Sequence, residues 1–262
     1  MKIFKLGAKT MRSKRIEEIK DFIYLNKTVT LDKICEKFDV SKSTLRRDLD
    51  EILKTGDIKK IYGGVTVLPK RELVSFEERN ISNLEAKRKI AAAAAEQIEE
   101  GDVVFLDSGT TTLPIIDFIK EEKNITVLTN NVEIILRAIP YENINIISLS
   151  GTLSRKTLSF TGATAAQVLQ NYNIRKAFMA TTGFSIARGL TNSAPVESEI
   201  KRMAVQRSQQ VFLLADSSKS GAISLITYCG LDQIDTLITE AEPAPELSAF
   251  LEQHGKQILI AR

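Results

Sequence analysis

Residues 107–112 read Asp-Ser-Gly-Thr-Thr-Thr, a dense run of hydroxyls around one glycine. Residues of these types can gather hydroxyls and backbone N–H groups at one point, and such a point suits a phosphate. The same stretch also fits a hydroxyl-capped turn that holds no ligand. Other small polar sets recur further along: Thr129, Asn130 and Asn131; Ser150, Gly151 and Thr152, with Arg155 and Lys156 just after; Thr181, Thr182 and Gly183; Asp216, Ser217, Ser218, Lys219 and Gly221. Much nearer the N-terminus, Ser41, Lys42, Ser43, Thr44, Arg46 and Arg47 form a compact basic and hydroxyl cluster, chemistry that suits a polyanion. Other chemistries are poorly supplied. His254 is the only histidine, and Cys35 and Cys229 are the only cysteines. That argues against a metal centre, a disulfide framework and a histidine-dependent triad, and no cofactor is expected.

The elements that would carry these residues follow from periodicity. Val103, Val104, Phe105 and Leu106 make a continuous apolar run, as in a strand buried on both faces. Leu113, Ile115, Ile116 and Ile119 then recur at helical spacing, so the hydroxyl run sits between a strand and a helix expected over 112–121. Further strands are expected at 125–129, 144–149, 176–180, 211–215, 236–239 and 257–260. Helices are expected at 84–98, 131–138, 163–171, 196–208 and 246–253. This alternation predicts an α/β fold with a mainly parallel sheet covered on both faces. Ligands of such sheets bind at the C-terminal ends of the strands, where each of the polar sets falls. One crevice there would collect hydroxyls, amides and cations around an anionic, hydroxylated ligand.

Residues 11–68 read as three short helices and a hairpin. Ile16, Ile19, Phe22 and Ile23 give the first helix its apolar stripe. Thr30 caps the second, with Leu31, Ile34, Cys35 and Phe38 as its stripe, and Asp39-Val40 makes the turn. Ser41 caps the third, which buries Leu45, Leu49, Ile52 and Leu53. A short helix, a tight turn and a second helix with basic and hydroxyl residues at its start is the helix-turn-helix arrangement, whose second helix fits the DNA major groove. Beyond Thr55-Gly56, Ile58, Ile61, Val65 and Val67 flank Gly63-Gly64, a hairpin whose Lys59, Lys60 and Tyr62 would form a wing.

Charge supports the division. Residues 1–70 hold 17 Lys+Arg against 10 Asp+Glu, net +7, and residues 71–262 hold 19 against 23, net −4. Only the first segment is built to meet a polyanion. Residues 69–85, with Pro69 and several charges, read as a linker. The expected domains are thus a winged helix-turn-helix over 1–68, a linker over 69–85 and an α/β domain over 86–262. No apolar run approaches the ~20 residues of a membrane span. The basic N-terminus lacks the apolar core of a secretory signal, so a cytoplasmic location and no membrane partner are expected.

Residues 40–65, VSKSTLRRDLDEILKTGDIKKIYGGV, resemble the N-terminal winged helix-turn-helix of the DeoR family of bacterial sugar-metabolism regulators. The second half is similar to that family too, in SGTTT, in TNN after Leu128, in GLTN (189–192) and in Asp-x-Ser-Lys (216–219). The resemblance implies a sensor domain of the ribose-5-phosphate isomerase and CoA-transferase-like fold. It implies a phosphate cradled by Ser108, Gly109, Thr110, Thr111 and Thr112, with Lys219 as counter-charge. By the same resemblance Asp107, Asn130, Asn131, Gly151, Arg155, Lys156, Gly183 and Glu197 become candidate effector contacts. Within the family, DSGTTT, RKT-x-SF-x-G (155–162), KAFM-x-x-TG (176–183) and RGLTN (188–192) are most similar to the regulators of myo-inositol catabolism, which implies a phosphorylated keto-deoxygluconate as effector.

Two positions depart from the family pattern. Ser150-Gly151 stands where many members have Gly-Gly. Thr181 and Thr182 stand where the isomerase-like enzymes need acidic residues, so proton transfer lacks its base. The expected function is a DNA-binding repressor of a sugar or polyol catabolic operon, released from double-stranded operator DNA by a phosphorylated sugar and working as a homo-oligomer, dimer or tetramer. The competing reading is a sugar-phosphate isomerase-like enzyme with a DNA-binding head, for which Glu197 and Asp107 are the remaining candidate bases. A transcriptional activator would use the same sites with opposite wiring.

Overall fold

The computed structural model describes residues 3–53, 58–67 and 76–262. The Thr55-Gly56 turn and linker residues 69–75 lie outside them. The chain divides into two compact units, Met1–Glu72 and Leu73–Arg262.

The first unit holds helices α1 (Ile3–Asn26), α2 (Leu31–Phe38) and α3 (Lys42–Ile52) and strands β1 (Thr28–Thr30), β2 (Ile58–Ile61) and β3 (Gly64–Val67). The starts of α2 and α3 are each set by a side chain. Thr30 accepts from the Lys33 N–H at 3.3 Å, and Ser41 accepts from the Thr44 N–H at 3.2 Å. Asp39 ends α2 in the left-handed region, at φ 46°, and the Val40 N–H closes on the Cys35 carbonyl. The helix stripes meet in one core of Ile19, Ile23, Ile34, Leu45, Leu49 and Ile52, completed by Val29, Ile58 and Val65 from the strands. The first helix is longer than periodicity suggested, and β1 was not anticipated. Three residues are too short a run to show a period, and β1 exists because β3 pairs with it across 38 residues of chain, Thr28 opposite Thr66.

The second unit is built on one seven-stranded sheet, with strand order β15-β14-β12-β9-β4-β5-β6 and every neighbouring pair parallel. These strands are β4 (Val103–Leu106), β5 (Ile125–Thr129), β6 (Ile144–Ser148), β9 (Ile174–Ala180), β12 (Ser208–Leu214), β14 (Thr236–Thr239) and β15 (Gln257–Ile260). Alternate residues of β4 serve the two faces. Val104 and Leu106 pack with Ile90 and Ala94 of α5 (Leu84–Glu96) and Ile134 of α6 (Val132–Ala138). Phe105 packs with Leu169 of α7 (Ala163–Leu169), Ile200 and Ala204 of α8 (Pro195–Arg207) and the Leu247–Leu251 side of α9 (Pro245–Gln253).

Three features differ from the sequence reading. The expected helix over 112–121 is a short 3₁₀ turn, Leu113–Phe118, which closes back three residues from the Ile115 N–H to the Thr112 carbonyl at 3.1 Å. The expected linker contains α4 (Phe76–Ile81), because Phe76 is buried in the core of the sheet unit. Small antiparallel elements were also missed: a hairpin of β7 (Thr152–Ser154) with β8 (Ser159–Thr161), and a sheet of β10 (Gly183–Ser185), β11 (Gly189–Asn192) and β13 (Ile226–Cys229). No described helix is long and apolar enough to cross a membrane.

Candidate functional site

From β4 the chain runs outward through β5 to β6, then returns to β9 on the other side of β4 and runs outward again through β12, β14 and β15. The order therefore reverses between β4 and β9, and a crevice opens at the C-terminal ends of those two strands. Tight packing shapes its floor. A Cβ on Gly109 would stand 2.1 Å from the Ala180 Cβ, so the loop after β4 approaches the end of β9 as only glycine allows. The Thr112 hydroxyl spends itself on the carbonyls of Asp107 (2.5 Å) and Gly109 (2.8 Å), and holds the loop in its turn.

The crevice is a cleft of about 340 Å³. The loop after β4 lines it with Ser108, Gly109, Thr110 and Thr111, the end of β9 with Thr181 and Thr182, and β11 and α8 with Asn192, Glu197 and Lys201. The loop after β12 adds Asp216 and Lys219, and α4, the turn after it and α5 add Arg79, Ser82 and Lys87.

Glu197 is buried and fully engaged. It accepts from the Ser108 hydroxyl at 3.1 Å, the Ser159 hydroxyl at 2.8 Å and the Asn192 amide at 3.1 Å. Asp107 and Lys201 form a buried ion pair beneath the cleft. Asp107 also accepts the Ala180 N–H at 2.9 Å, and Lys201 also donates to the Ala180 carbonyl at 3.0 Å. This pair fastens β4, β9 and α8 together at the switch point.

Lys87 and Lys219 differ from Lys201 in having no carboxylate bonded to the ammonium among the described residues. Burial pulls Lys87 from its ordinary 10.5 to about 8; Asp216 opposes that shift, and Lys219 and Arg79 add to it. The buried ammonium donates to the Arg79 carbonyl and lies near one carboxylate, Asp216, and two like charges. Cys229 lies behind this region, and burial pushes its thiol up to about 12, so it stays protonated and inert.

Of the residues singled out in the sequence, Ser108, Gly109, Thr110, Thr111, Thr181, Thr182, Glu197, Asp216 and Lys219 meet at this cleft. The remaining candidate effector contacts do not line it. Asp107 and Thr112 are used beneath it. Asn131 caps α6 by accepting the Ile134 N–H at 3.0 Å, and donates to the Ser108 carbonyl at 3.1 Å. The Asn130 amide donates to the Phe160 carbonyl at 3.0 Å. Gly183 is buried, its carbonyl accepting from the hydroxyls of Thr181 and Thr191. Gly151 lies ahead of β7, and Arg155 and Lys156 are exposed in the β7–β8 turn. Arg79, Lys87, Asn192 and Lys201 were missed. Arg79 lies in a stretch that reads as linker and Lys87 and Lys201 on expected helices, while Asn192 ends the GLTN stretch, where no strand was expected.

In the first unit, Ser41, Lys42, Ser43, Arg46 and Arg47 are exposed on the first turns of α3 and Thr44 is half-buried, while Leu45, Asp48 and Leu49 face inward. Lys42 pairs with Asp32 at 2.7 Å, and that bonded carboxylate raises its pKa. Asp48 is buried and receives both Nε and Nη2 of Arg15, at 2.9 and 2.8 Å, which ties α3 to α1. Lys59 and Lys60 are exposed on β2, and Tyr62 stands fully exposed at the hairpin turn, where Gly63 takes φ 74°. Lys60 reaches Asp50 of α3 at 3.0 Å.

Known proteins share both halves. Residues 15–71 match the DeoR-like helix-turn-helix domain, and residues 82–241 match the DeoR C terminal sensor domain. The HTH-type transcriptional regulator IolR of Bacillus subtilis (strain 168) is 43% identical over 251 residues, which is 96% of this chain and 100% of that protein. The HTH-type transcriptional repressor GlcR of the same bacterium is 31% identical, covering 95% of this chain and 96% of that one. Among solved structures, ribose 5-phosphate isomerase A from Methanocaldococcus jannaschii aligns over 53% of this chain and 55% of that one, with a TM-score of 0.40 and 19% identity.

Proposed function

The chain belongs to the DeoR family of transcriptional regulators, and on that premise we propose that it represses a sugar or polyol catabolic operon and is released from its operator by a phosphorylated sugar. The observation that carries the reading is the switch-point cleft. In one chain with a helix-turn-helix, it gathers the hydroxyls of Ser108, Thr110 and Thr111 with the ammonium groups of Lys87 and Lys219. Hydroxyls and lysines around a polar cleft suit a phosphate ester with a polyhydroxy body.

In this reading α3 enters the major groove. Arg46 reads a base edge, with Ser41, Lys42, Ser43, Thr44 and Arg47 on bases or phosphates, and Lys59, Lys60 and Tyr62 of the wing lie along the backbone. The effector binds better to the conformation that holds DNA poorly and shifts the population towards it. A homodimer matches a two-fold operator, and a tetramer could bridge two. The similarity to regulators of myo-inositol catabolism makes a phosphorylated keto-deoxygluconate the first effector to try.

The protein acts by binding rather than by turnover. Thr181 and Thr182 follow β9 where a base would be needed, Asp107 is committed to Lys201, and Glu197 is held by three donors.

Operator-fragment binding by fluorescence anisotropy at fixed salt tests the whole reading, with a panel of sugar phosphates and their unphosphorylated parents added. Release by one phosphorylated compound and not by its parent is the expected result. Specific DNA binding that no sugar phosphate moves would remove the sensor half. A reporter that falls when the gene is deleted would reverse the sign to activation.

A further inference from the structure

Lys42 opens α3, and Asp32 lies in the first turn of α2. The Lys42 ammonium meets the Asp32 carboxylate at 2.7 Å. Both side chains are exposed, at 63% and 77%, so the pair adds little to the stability of the fold. Its place matters more. In helix-turn-helix proteins the start of the second helix contacts base edges while the first helix crosses the backbone, so both residues are carried towards DNA. A carboxylate there repels phosphate. It also suits the dipole of α2, a role that moves stability and not DNA preference.

The two residues are mounted on one rigid frame. Ile34 of α2 and Leu45 of α3 are buried in the same core, and the Val40 N–H closes the turn between the helices on the Cys35 carbonyl at 3.1 Å. An ammonium carries three donors, and one of them serves Asp32. The bonded carboxylate keeps Lys42 charged by raising its pKa. Arg46 follows one turn further along the same side of α3.

We propose that Asp32 is a positioning residue for DNA reading: it holds the Lys42 ammonium over a base edge, where the remaining donors meet the N7 and O6 acceptors of a guanine, and keeps it off the phosphate backbone. This rests on the reading that α3 enters the major groove, and it separates Lys42 from the residues that contact phosphates. The reason is the sign of the neighbour. A phosphate drawn to Lys42 is brought against the Asp32 carboxylate. A guanine edge is uncharged and leaves the ion pair intact, and in the major groove guanine alone offers two acceptors and no donor. A cation already neutralised by Asp32 displaces no counterion from DNA, so Lys42 adds to sequence preference and not to salt dependence.

Fluorescence anisotropy on the full-length protein over a series of salt concentrations tests this with two duplexes, an operator selected from random DNA by the unsubstituted protein and a scrambled duplex of the same composition. The double variant Asp32→Asn/Lys42→Met removes the pair as a neutral unit. It should bind the operator roughly ten-fold more weakly and lose the preference for guanine at one base position, with the slope of log K against log salt unchanged. Asp32→Asn alone frees the ammonium for the backbone. The slope then steepens by about 0.9 for each bound subunit, the scrambled duplex is bound several-fold tighter, and the ratio of operator to scrambled affinity falls. A double variant whose slope is shallower by about 0.9 overturns the proposal, because Lys42 would then be a phosphate contact. So does a double variant that keeps operator affinity and base preference, or an Asp32→Asn protein with unchanged slope and ratio. Arg46→Ala separates this from the docking of α3. If it too leaves operator binding unaltered, the docking falls and takes the inference with it; if it weakens binding, only the role of Asp32 falls. Should Asp32→Asn not fold, Asp32→Ser is read in the same way.

Discussion

On the outward face of α3 and at the hairpin turn the polar groups stand in water. Arg46 and Arg47 are exposed, Lys42 shares a surface pair with Asp32, and Tyr62 projects entirely from the hairpin turn. Around the cleft the polar groups are sunk and tied to one another. Glu197 has three donors, Asp107 and Lys201 share a buried ion pair, and Asp216 takes three hydrogen bonds on one oxygen. A surface that meets DNA profits from long, well-solvated side chains that can follow a phosphate backbone, and it puts little of the fold's stability at risk. A cleft for a small polar ligand has to hold its donors and acceptors still before the ligand comes, so the same residues that bind also hold strands together. Substitutions on the two surfaces should therefore separate binding from stability in different ways.

The largest effect falls on the buried pair. Lys201→Met leaves the Asp107 carboxylate buried without its cation and should cost about 3–5 kcal/mol of stability, seen as a lower denaturant midpoint of the sheet unit. An unchanged midpoint would mean that the cleft floor is as tolerant as the DNA-facing surface. Next is Arg46→Ala, which should weaken specific operator binding by roughly 1–3 kcal/mol if a bidentate base contact is lost, with thermal stability unaltered. A variant that binds operator normally would show that α3 is docked differently. Ser41→Ala is smaller and of mixed kind. It removes the cap on the Thr44 N–H, and about 1 kcal/mol of stability in the first unit goes with it. Measuring operator affinity at a temperature where the fold is intact separates that loss from any phosphate contact.

The smallest effect is on pH dependence. Lys87 titrates at about 8 instead of 10.5 because its ammonium is buried. An anion beside it favours the charged form, so binding takes up a proton above that pH. Effector affinity should hold below about pH 8 and fall as pH rises from there towards 10.5, and Lys87→Met should remove that dependence. In the free protein the sign is opposite. Burying the ammonium costs stability below about pH 8, and the cost fades as pH rises towards 10.5. An effector affinity that is level across this range would place the anion away from Lys87.

The head was readable because its information is local. The stripe Leu45, Leu49 and Ile52 sets which way α3 faces, and Ser41 sets where it starts, so the outward Arg46 follows from a few adjacent residues. In the second unit, β4 and the hydroxyl run were legible for the same reason, as was the alternation of strands and helices. The short hairpin β7–β8 and the sheet β10-β11-β13 were not. These short strands lack the continuous apolar run that marks β4, and their partners are set by tertiary packing.

Which polar residues share the cleft was decided only by the three-dimensional arrangement. Residues 108–111 announce themselves by composition, and Lys219 does so by its resemblance to a family signature. Lys87 sits on an alanine-rich helix and Arg79 in a stretch that reads as linker; Lys201 follows Glu197 by one helical turn with no local mark of its partner. Asp107 lies 94 residues before that lysine and reaches it because the strand order reverses between β4 and β9. Hydrophobic periodicity determines that a strand or helix forms and which side it buries. It carries no term for which distant strand ends become neighbours, and that choice, made by packing the whole sheet, decides which charges meet.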